Sequence, residues 1–180
     1  MSLSRRSLLA AATLPFAGNA EAQPKPLVIP TKWYAIQLEA AAATVEMPGV
    51  PDHRVVNDKS ARGTVFPLHS YSLEIGGYSY VAQTALCPAD VDATRPRAIV
   101  QSALDGRAQQ LANGKWTKIE WREIGGATAA DSLGTLKGGL ALRQLVLVKE
   151  RRFVSLGFLG APGGMAGIEA ERFFKSLRLV

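Results

Sequence analysis

Apolar and polar residues alternate along two stretches, Thr64–Ile75 and Tyr78–Leu86, which flank Gly76-Gly77. Because glycine takes positive φ without strain, this two-residue turn predicts a tight β-hairpin. The turn also sets the register of the hairpin, which pairs Ile75 with Tyr78, Leu73 with Tyr80, Tyr71 with Ala82 and His69 with Thr84. One face of the ribbon is therefore aromatic and aliphatic, and the other carries polar residues, as in a half-buried hairpin.

The C-terminal half contains a second hairpin pattern. Leu140–Val148 and Arg151–Leu159 flank Lys149-Glu150, and both are apolar enough to lie near the centre of a sheet. Trp116–Ile124 alternates as a further strand. The Gly- and Ala-rich stretch Gly125–Gly139 predicts an irregular loop.

Helical spacing appears twice. Pro96 suits the first turn of a helix that Asn113-Gly114 closes. A glycine-rich loop over Gly160–Gly167 precedes a closing helix over Ile168–Leu177. The first helix has one apolar stripe, formed by Ile99, Val100, Ala103, Leu104, Ala108 and Leu111. The order of these elements predicts an α+β domain in which helices pack on an antiparallel sheet.

The N-terminus has the pattern of an export signal. Arg5 and Arg6 precede an apolar segment, and Ala20-Glu21-Ala22 is a small-x-small cleavage site. Ser-Arg-Arg-x-Leu-Leu resembles a twin-arginine signal, and an ordinary Sec signal is the alternative. The apolar segment has eleven residues, short of the roughly 20 that span a bilayer, so we expect no transmembrane span. We expect a signal peptide over 1–22, a Pro-rich linker over 23–31, one domain over 32–180, and a periplasmic or secreted bacterial location.

Composition narrows the functional classes. Lys and Arg total 21 against 15 Asp and Glu, a formal charge of +6. The basic residues are scattered along the chain, and export makes nucleic acid an implausible partner. A weak contact with an acidic surface remains an alternative. The single cysteine, Cys87, excludes a disulfide within the chain.

Several segments together resemble one known family. Residues 33–43 are ambiguous between helix and strand. The segment after them is similar to the opening of the PsbP-like family, a strand followed by F-P-G-x-P, and it reads Thr44-Val45-Glu46-Met47-Pro48-Gly49-Val50-Pro51. The order of the later elements follows that family, and Phe173-Phe174-Lys175-Ser176-Leu177 looks like its F-F-x-S-F helix. The family includes an extrinsic photosystem subunit, a Ran-binding nuclear protein and exported bacterial proteins. The resemblance implies an α/β/α sandwich, with helices on both faces of a central antiparallel sheet, and a non-catalytic binding or assembly role.

Two nucleophile patterns are weak. Ser132 lies in a relaxed Gly-x-Ser-x-Gly pattern that lacks the flanking strand and helix of a nucleophile elbow. A Cys87–His69 dyad is disfavoured because the hairpin register places the two residues on opposite faces of the sheet. We expect a half-buried structural thiol at Cys87, and no catalytic residue.

The two histidines, His53 and His69, do not predict a metal site. A zinc site would have to recruit Asp52 or Glu74, and Cys87, from distant segments without close ligand spacing. We expect a solvated loop position for His53 and packing beside Tyr71 for His69, with no metal and no cofactor.

The functional expectation is a binding or assembly module of the bacterial envelope. Its partner is an unidentified protein or small ligand, with Tyr71, Tyr78 and Tyr80 as the candidate ligand face. The first alternative is a carrier that holds a hydrophobic molecule between sheet and helix. The second is a hydrolase that uses Ser132.

Overall fold

Antiparallel strands dominate the fold, which a computed structural model describes over residues 32–180. The predicted signal peptide and linker lie outside the described residues. The two α-helices are α1 (Pro96–Ala108) and α2 (Ile168–Lys175), with a 3-10 turn at Pro162–Gly164. The described strands are β1 (Tyr34–Leu38), β2 (Ala43–Met47), β3 (Asp52–Lys59), β4 (Val65–Ile75), β5 (Tyr78–Leu86), β6 (Lys118–Ile124), β7 (Ala127–Thr135), β8 (Ala141–Lys149), β9 (Arg152–Gly160) and β10 (Arg178–Leu179).

The strands form two sheets. The larger one has seven antiparallel strands in the order β3-β4-β5-β9-β8-β7-β6, and the smaller one has the order β1-β2-β10. The hairpin at Gly76-Gly77 forms with all four predicted pairs. The second hairpin is also confirmed, with its turn at Glu150-Arg151 because Lys149 pairs with Arg152. Its strands, β8 and β9, lie in the interior of the sheet, as their apolar sequences predicted.

The expected α/β/α sandwich with helices on both faces is wrong. Of the described residues, 51% are in strands and 16% in helices. Helix α1 covers one face of the large sheet, and the small sheet with the eight-residue α2 covers the other. Residues 33–43, which were ambiguous, contribute β1 and a turn. Together with β2, they supply a strand layer in which Leu38, Val45 and Met47 are fully buried.

Two further expectations are corrected. The stretch over 125–139 is mainly strand β7, because Gly125-Gly126 takes positive φ and turns the chain back from β6. The small residues of β7 suit burial on both faces: Ala129 packs toward the small sheet, and Ala130 packs toward α1. His53 lies on strand β3, paired with Tyr71, and not in a loop.

Apolar side chains fill both sides of the large sheet. Tyr80, Phe158 and Phe173 are almost completely buried between it and the small sheet with α2, with ring centroids 5.0–5.4 Å apart. On the opposite face, Ile99 and Val100 of α1 pack with Val146, Val148 and Phe153. The Trp116 indole Nε1 donates to the Leu104 carbonyl at 3.0 Å, which fixes α1 to the chain that follows it. Helix α1 ends at Ala108, earlier than the predicted Asn113-Gly114.

Candidate functional site

An open cavity of about 490 Å³ lies on the α1 face of the large sheet. The floor is formed by β5, β8 and β9, and the walls by the C-terminal end of α1 and the turn between β7 and β8. This volume is within the range of small-molecule sites. The lining residues are Val81, Gln83, Arg107, Gln110, Leu136, Lys137, Gly138, Leu140, Leu142, Gln144, Ser155, Gly157 and Leu159.

The cavity exists because small residues stand where large side chains would fill the space. Gly157 is on the central strand β9, and a Cβ added there would lie 3.8 Å from the nearest atom, Cβ of Val81. A Cβ at Gly138, in the β7–β8 turn, would meet no atom within 4 Å. Helix α1 packs mainly over β7 and β8, which leaves the surface of β5 and β9 beyond its C-terminal end uncovered.

One part of the cavity is aliphatic. Val81, Leu142 and Leu159 are buried at the floor, and Leu136 packs against them. Leu140 adds a side chain that is 48% exposed at the edge. A concave aliphatic surface of this kind favours an apolar ligand, because binding removes its apolar area from water.

The other part of the floor is polar and incompletely hydrogen-bonded. Gln144 Nε2 donates to the Ser155 hydroxyl at 2.8 Å. Three buried atoms in this group have no hydrogen-bond partner: Gln83 Nε2, Gln144 Oε1 and Arg107 Nε. Most buried polar atoms in proteins are paired, directly or through water, so these three atoms define a polar end of the floor with room for a water molecule beside it.

Arg107 gives this polar end its charge. Its guanidinium Nη1 donates to Gln110 Oε1 at 2.8 Å, and no ion pair of Arg107 occurs within residues 32–180. Burial lowers the pKa of the guanidinium from its ordinary value, yet arginine stays protonated at neutral pH. A largely buried cation without a counter-ion favours an anionic ligand group, because the cost of its desolvation is then offset.

A smaller space of about 20 Å³ adjoins the cavity and shares Gln83, Arg107, Gln144 and Ser155 with it. Asp58 lies at its far side, where Oδ1 accepts from the Lys59 main-chain nitrogen at 2.8 Å and Oδ2 is unpaired. Burial raises the pKa of this carboxyl. Asp58 therefore contributes a buried acid beside the polar end of the cavity.

The tyrosines of the candidate ligand face lie on the opposite side of the large sheet. Tyr80 is buried between Trp33, Phe158 and Phe173, and this burial raises its pKa. Tyr78 stacks on Phe158 at a centroid distance of 5.0 Å, and the Tyr71 hydroxyl accepts from the Glu39 main-chain nitrogen at 3.0 Å. These side chains pack the protein interior, whereas the cavity lies on the α1 face, beyond the C-terminal end of that helix.

The two nucleophile candidates are enclosed. Ser132 is 1% exposed on β7, and its hydroxyl donates to the Gln144 carbonyl at 3.0 Å. Cys87 is 5% exposed among the residues packed under α1, and burial raises the pKa of its thiol. His69 lies on the other face of the sheet, with Glu39 and Tyr71, so the predicted separation of Cys87 from His69 is confirmed.

The sequence does not predict this cavity, because its lining residues come from five separate elements. The single sequence signal was the polar side of the first hairpin, where Gln83 stands among Ser70 and Ser72. Nothing in the local pattern shows that Arg107 at the end of α1 reaches the same place.

Within residues 32–180, neither helix has the length and apolarity needed to cross a membrane.

Comparisons with known proteins show the fold. The solution structure of cyanobacterial PsbP (CyanoP) from Synechocystis sp. PCC 6803 superimposes with a TM-score of 0.57, at 10% sequence identity, over 91% of this chain and 99% of that chain. The crystal structure of PA94, a protein of unknown function from Pseudomonas aeruginosa, matches with a TM-score of 0.40, at 16% identity, over 74% of this chain and 85% of that chain. No protein family model and no curated protein matches the sequence. The chain thus has a PsbP-like fold, as the order of its motifs predicted.

Proposed function

We propose that this protein is a non-catalytic binding module whose cavity holds a small, mainly aliphatic molecule with one anionic group. The observation that carries the proposal is the position of Arg107, which has no ion pair within residues 32–180, at one end of an aliphatic cavity. This favours the carrier among the alternatives that the sequence left open. A medium-chain carboxylate has the required chemistry.

The orientation of the ligand follows from the lining. Its carboxylate would lie at the end of the cavity that Arg107 lines and pair with the guanidinium, the buried cation of that end. Its chain would lie along Leu136, Leu142 and Leu159, where the surface is aliphatic. Ligands that lack either the anionic group or the aliphatic chain would bind more weakly.

The lining argues for binding and against reaction. None of the residues that line the cavity itself is His, Cys, Asp or Glu, the side chains that most often transfer protons in active sites, and Asp58 lines only the adjoining smaller space. The Ser155 hydroxyl accepts a hydrogen bond from the Gln144 amide and makes no hydrogen bond to a His, Asp or Glu side chain within residues 32–180.

We propose a bacterial envelope location for this module. Its support is the Arg5-Arg6 signal pattern and the cleavage pattern at Ala20 and Ala22. Replacing Arg5 and Arg6 with lysine should retain the full chain in the cytoplasm if export uses the twin-arginine route. Unchanged export would favour the Sec route instead.

Native mass spectrometry of the protein purified from its own host under non-denaturing conditions tests the ligand directly. We expect an adduct whose organic extract contains an aliphatic acid. A protein that carries no adduct, and that binds no aliphatic acid added to it, would contradict the proposal.

A further inference from the structure

On the face opposite the cavity, two imidazoles lie side by side near the edge of the large sheet. His53 on β3 pairs with Tyr71 on β4, and its ring lies parallel to the Tyr71 ring at a centroid distance of 4.3 Å. His69 lies two residues before Tyr71, on the same face. The His53 Nε2 and His69 Nδ1 atoms are 3.3 Å apart. These are the two histidines of the chain, and the fold directs a nitrogen of each toward the other.

A carboxylate joins them from the other sheet. Glu39 follows β1, and its main chain is fixed to the large sheet at two points: its nitrogen donates to the Tyr71 hydroxyl at 3.0 Å, and its carbonyl accepts from Thr84 Oγ1. This places Glu39 Oε2 3.2 Å from His69 Nδ1. The β1–β2 turn that positions Glu39 contains Ala40 and Ala42, two non-glycine residues at positive φ. The packing of the fold, and not glycine, therefore holds the turn in this conformation.

We propose that Glu39, His53 and His69 bind one divalent transition-metal ion, Zn²⁺ being the best match. One ligand atom from each residue lies within 4.8 Å of the other two. Zn–N bonds of roughly 2.0–2.1 Å in a tetrahedron place neighbouring ligand atoms about 3.3 Å apart. Two of the three separations, both from His69 Nδ1, are 3.3 Å and 3.2 Å and fit that edge length, and the third, between Glu39 and His53, is within 4.8 Å, so a side-chain adjustment would close the site around an ion.

The chemistry of the ligands selects the ion. Two imidazoles and one carboxylate suit Zn²⁺ and its neighbours in the transition series, whereas Mg²⁺ and Ca²⁺ prefer oxygen ligands throughout. Glu39 and His53 are exposed, so an ion can enter from solvent. Three protein ligands leave the fourth tetrahedral position to water or to a side chain of a partner. His69, with its side chain only 14% exposed, fixes the inner side of the site.

The site is independent of the cavity. His69 shares its face of the sheet with Tyr71 and Thr84, whereas Gln83, which lines the cavity, points to the other face. The sequence gives Asp52, Glu74 and Cys87 no close ligand spacing to the histidines. Glu39 has no sequence signal either, because only the packing of the β1–β2 turn on β4 and β5 brings that residue to the histidines.

Isothermal titration of the full chain, purified without a histidine tag, with ZnCl₂ tests the proposal. We expect one Zn²⁺ per chain, and affinity roughly tenfold or more weaker in Glu39→Gln, His53→Ala and His69→Asn. Glu74→Gln is the matched control, since it removes an exposed carboxylate from the other face of β4. Titration with Co²⁺ should give the visible bands of a tetrahedral complex, and Mg²⁺ should give no binding at this site.

Thermal unfolding keeps the test interpretable if a variant is less stable. Zn²⁺ should raise the midpoint of the wild-type chain and of Glu74→Gln, and leave those of the three ligand variants unchanged. Absence of one-to-one binding, or equal Zn²⁺ affinity in the wild type and all three variants, would overturn the proposal and leave a histidine pair that only packs on Tyr71.

Discussion

The Gln144 side-chain nitrogen donates to the Ser155 hydroxyl at 2.8 Å, and both residues lie on the floor of the cavity. This bond satisfies Ser155 and leaves Gln144 Oε1 buried without a partner. An unpaired buried polar atom typically costs about 1–3 kcal/mol of stability. Its partner must be a donor, such as water, so the carboxylate of the proposed ligand lies at Arg107 and away from Gln144 Oε1.

Filling the cavity should abolish binding without harming the fold. In Gly157→Leu, the new side chain extends from β9 into space where the nearest atom to its Cβ is 3.8 Å away. We expect titration calorimetry to detect no dodecanoate binding, with a thermal midpoint equal to or above that of the wild type.

The control is Gly163→Leu, since a Cβ at Gly163 meets no atom within 4 Å and this glycine is exposed outside the cavity. Dodecanoate binding that persists in Gly157→Leu at wild-type affinity would locate the ligand elsewhere.

Asp58→Asn should stabilise the protein at neutral pH. Burial raises the pKa of the Asp58 carboxyl above 3.8 in the folded state, so its ionised form opposes folding. The free energy of unfolding is therefore not reduced by Asp58 below pH 3.8, where the carboxyl is protonated, and it falls as pH rises through the folded-state pKa. Asparagine keeps the acceptor for the Lys59 nitrogen and carries no charge. Urea unfolding at pH 7 should therefore show a gain for Asp58→Asn that disappears at low pH; an equal difference at both pH values would contradict this explanation.

Arg143 should stabilise the fold on the face of the large sheet that α2 covers. Its guanidinium pairs with the buried Asp131 at 2.9 Å and with Glu171 of α2 at 2.5 Å, and it stacks on Phe174 at 4.5 Å. Arg143→Ala leaves Asp131 with Arg122 as its remaining ion pair, and we expect a loss of about 2 kcal/mol in urea unfolding.

Arg152→Ala provides the comparison, because its pair with Glu150 is exposed and should contribute about 1 kcal/mol or less. Equal losses in the Arg143 and Arg152 variants would argue against a special role for the Arg143 pair.

The Cys87 thiol should resist alkylation in the native protein. It is 5% exposed, and burial raises its pKa more than the nearby Arg151 lowers it. We expect iodoacetamide at pH 8 to modify Cys87 in urea and to leave the native chain unlabelled, as intact mass would show. Rapid labelling of the native chain would reveal a reactive thiolate instead.

The parts of the fold that sequence predicts are those with local signals. Gly76-Gly77 determines its hairpin because the turn alone sets the register, and the apolar β8 and β9 could only be interior strands. Strand β7 was mistaken for a loop because its burial uses Ala and Gly, whose composition resembles that of a turn-rich segment. Strand β3 was missed because, at the edge of the sheet, it is mostly polar and exposed.

The candidate sites depend on contacts that no local pattern contains. Once β3 is known to pair with β4, the positions of His53 and His69 follow from the register. Glu39 joins them only because its turn bonds to Tyr71 and Thr84. The cavity likewise forms because the packing of α1 on the sheet brings Arg107 and Gly157 to the same surface. Helical periodicity does not specify how α1 packs on the sheet.

Titration calorimetry with dodecanoate, comparing the wild type with Arg107→Gln, tests the central claim most directly. Lys115→Gln is the control, because it removes the same charge from an exposed position that does not line the cavity. We predict one-to-one binding that weakens by about tenfold or more in Arg107→Gln only, since a hydrogen-bonded charge contributes roughly 1.5–3 kcal/mol. Absence of dodecanoate binding to the wild type, or equal affinity in Arg107→Gln, would contradict the account.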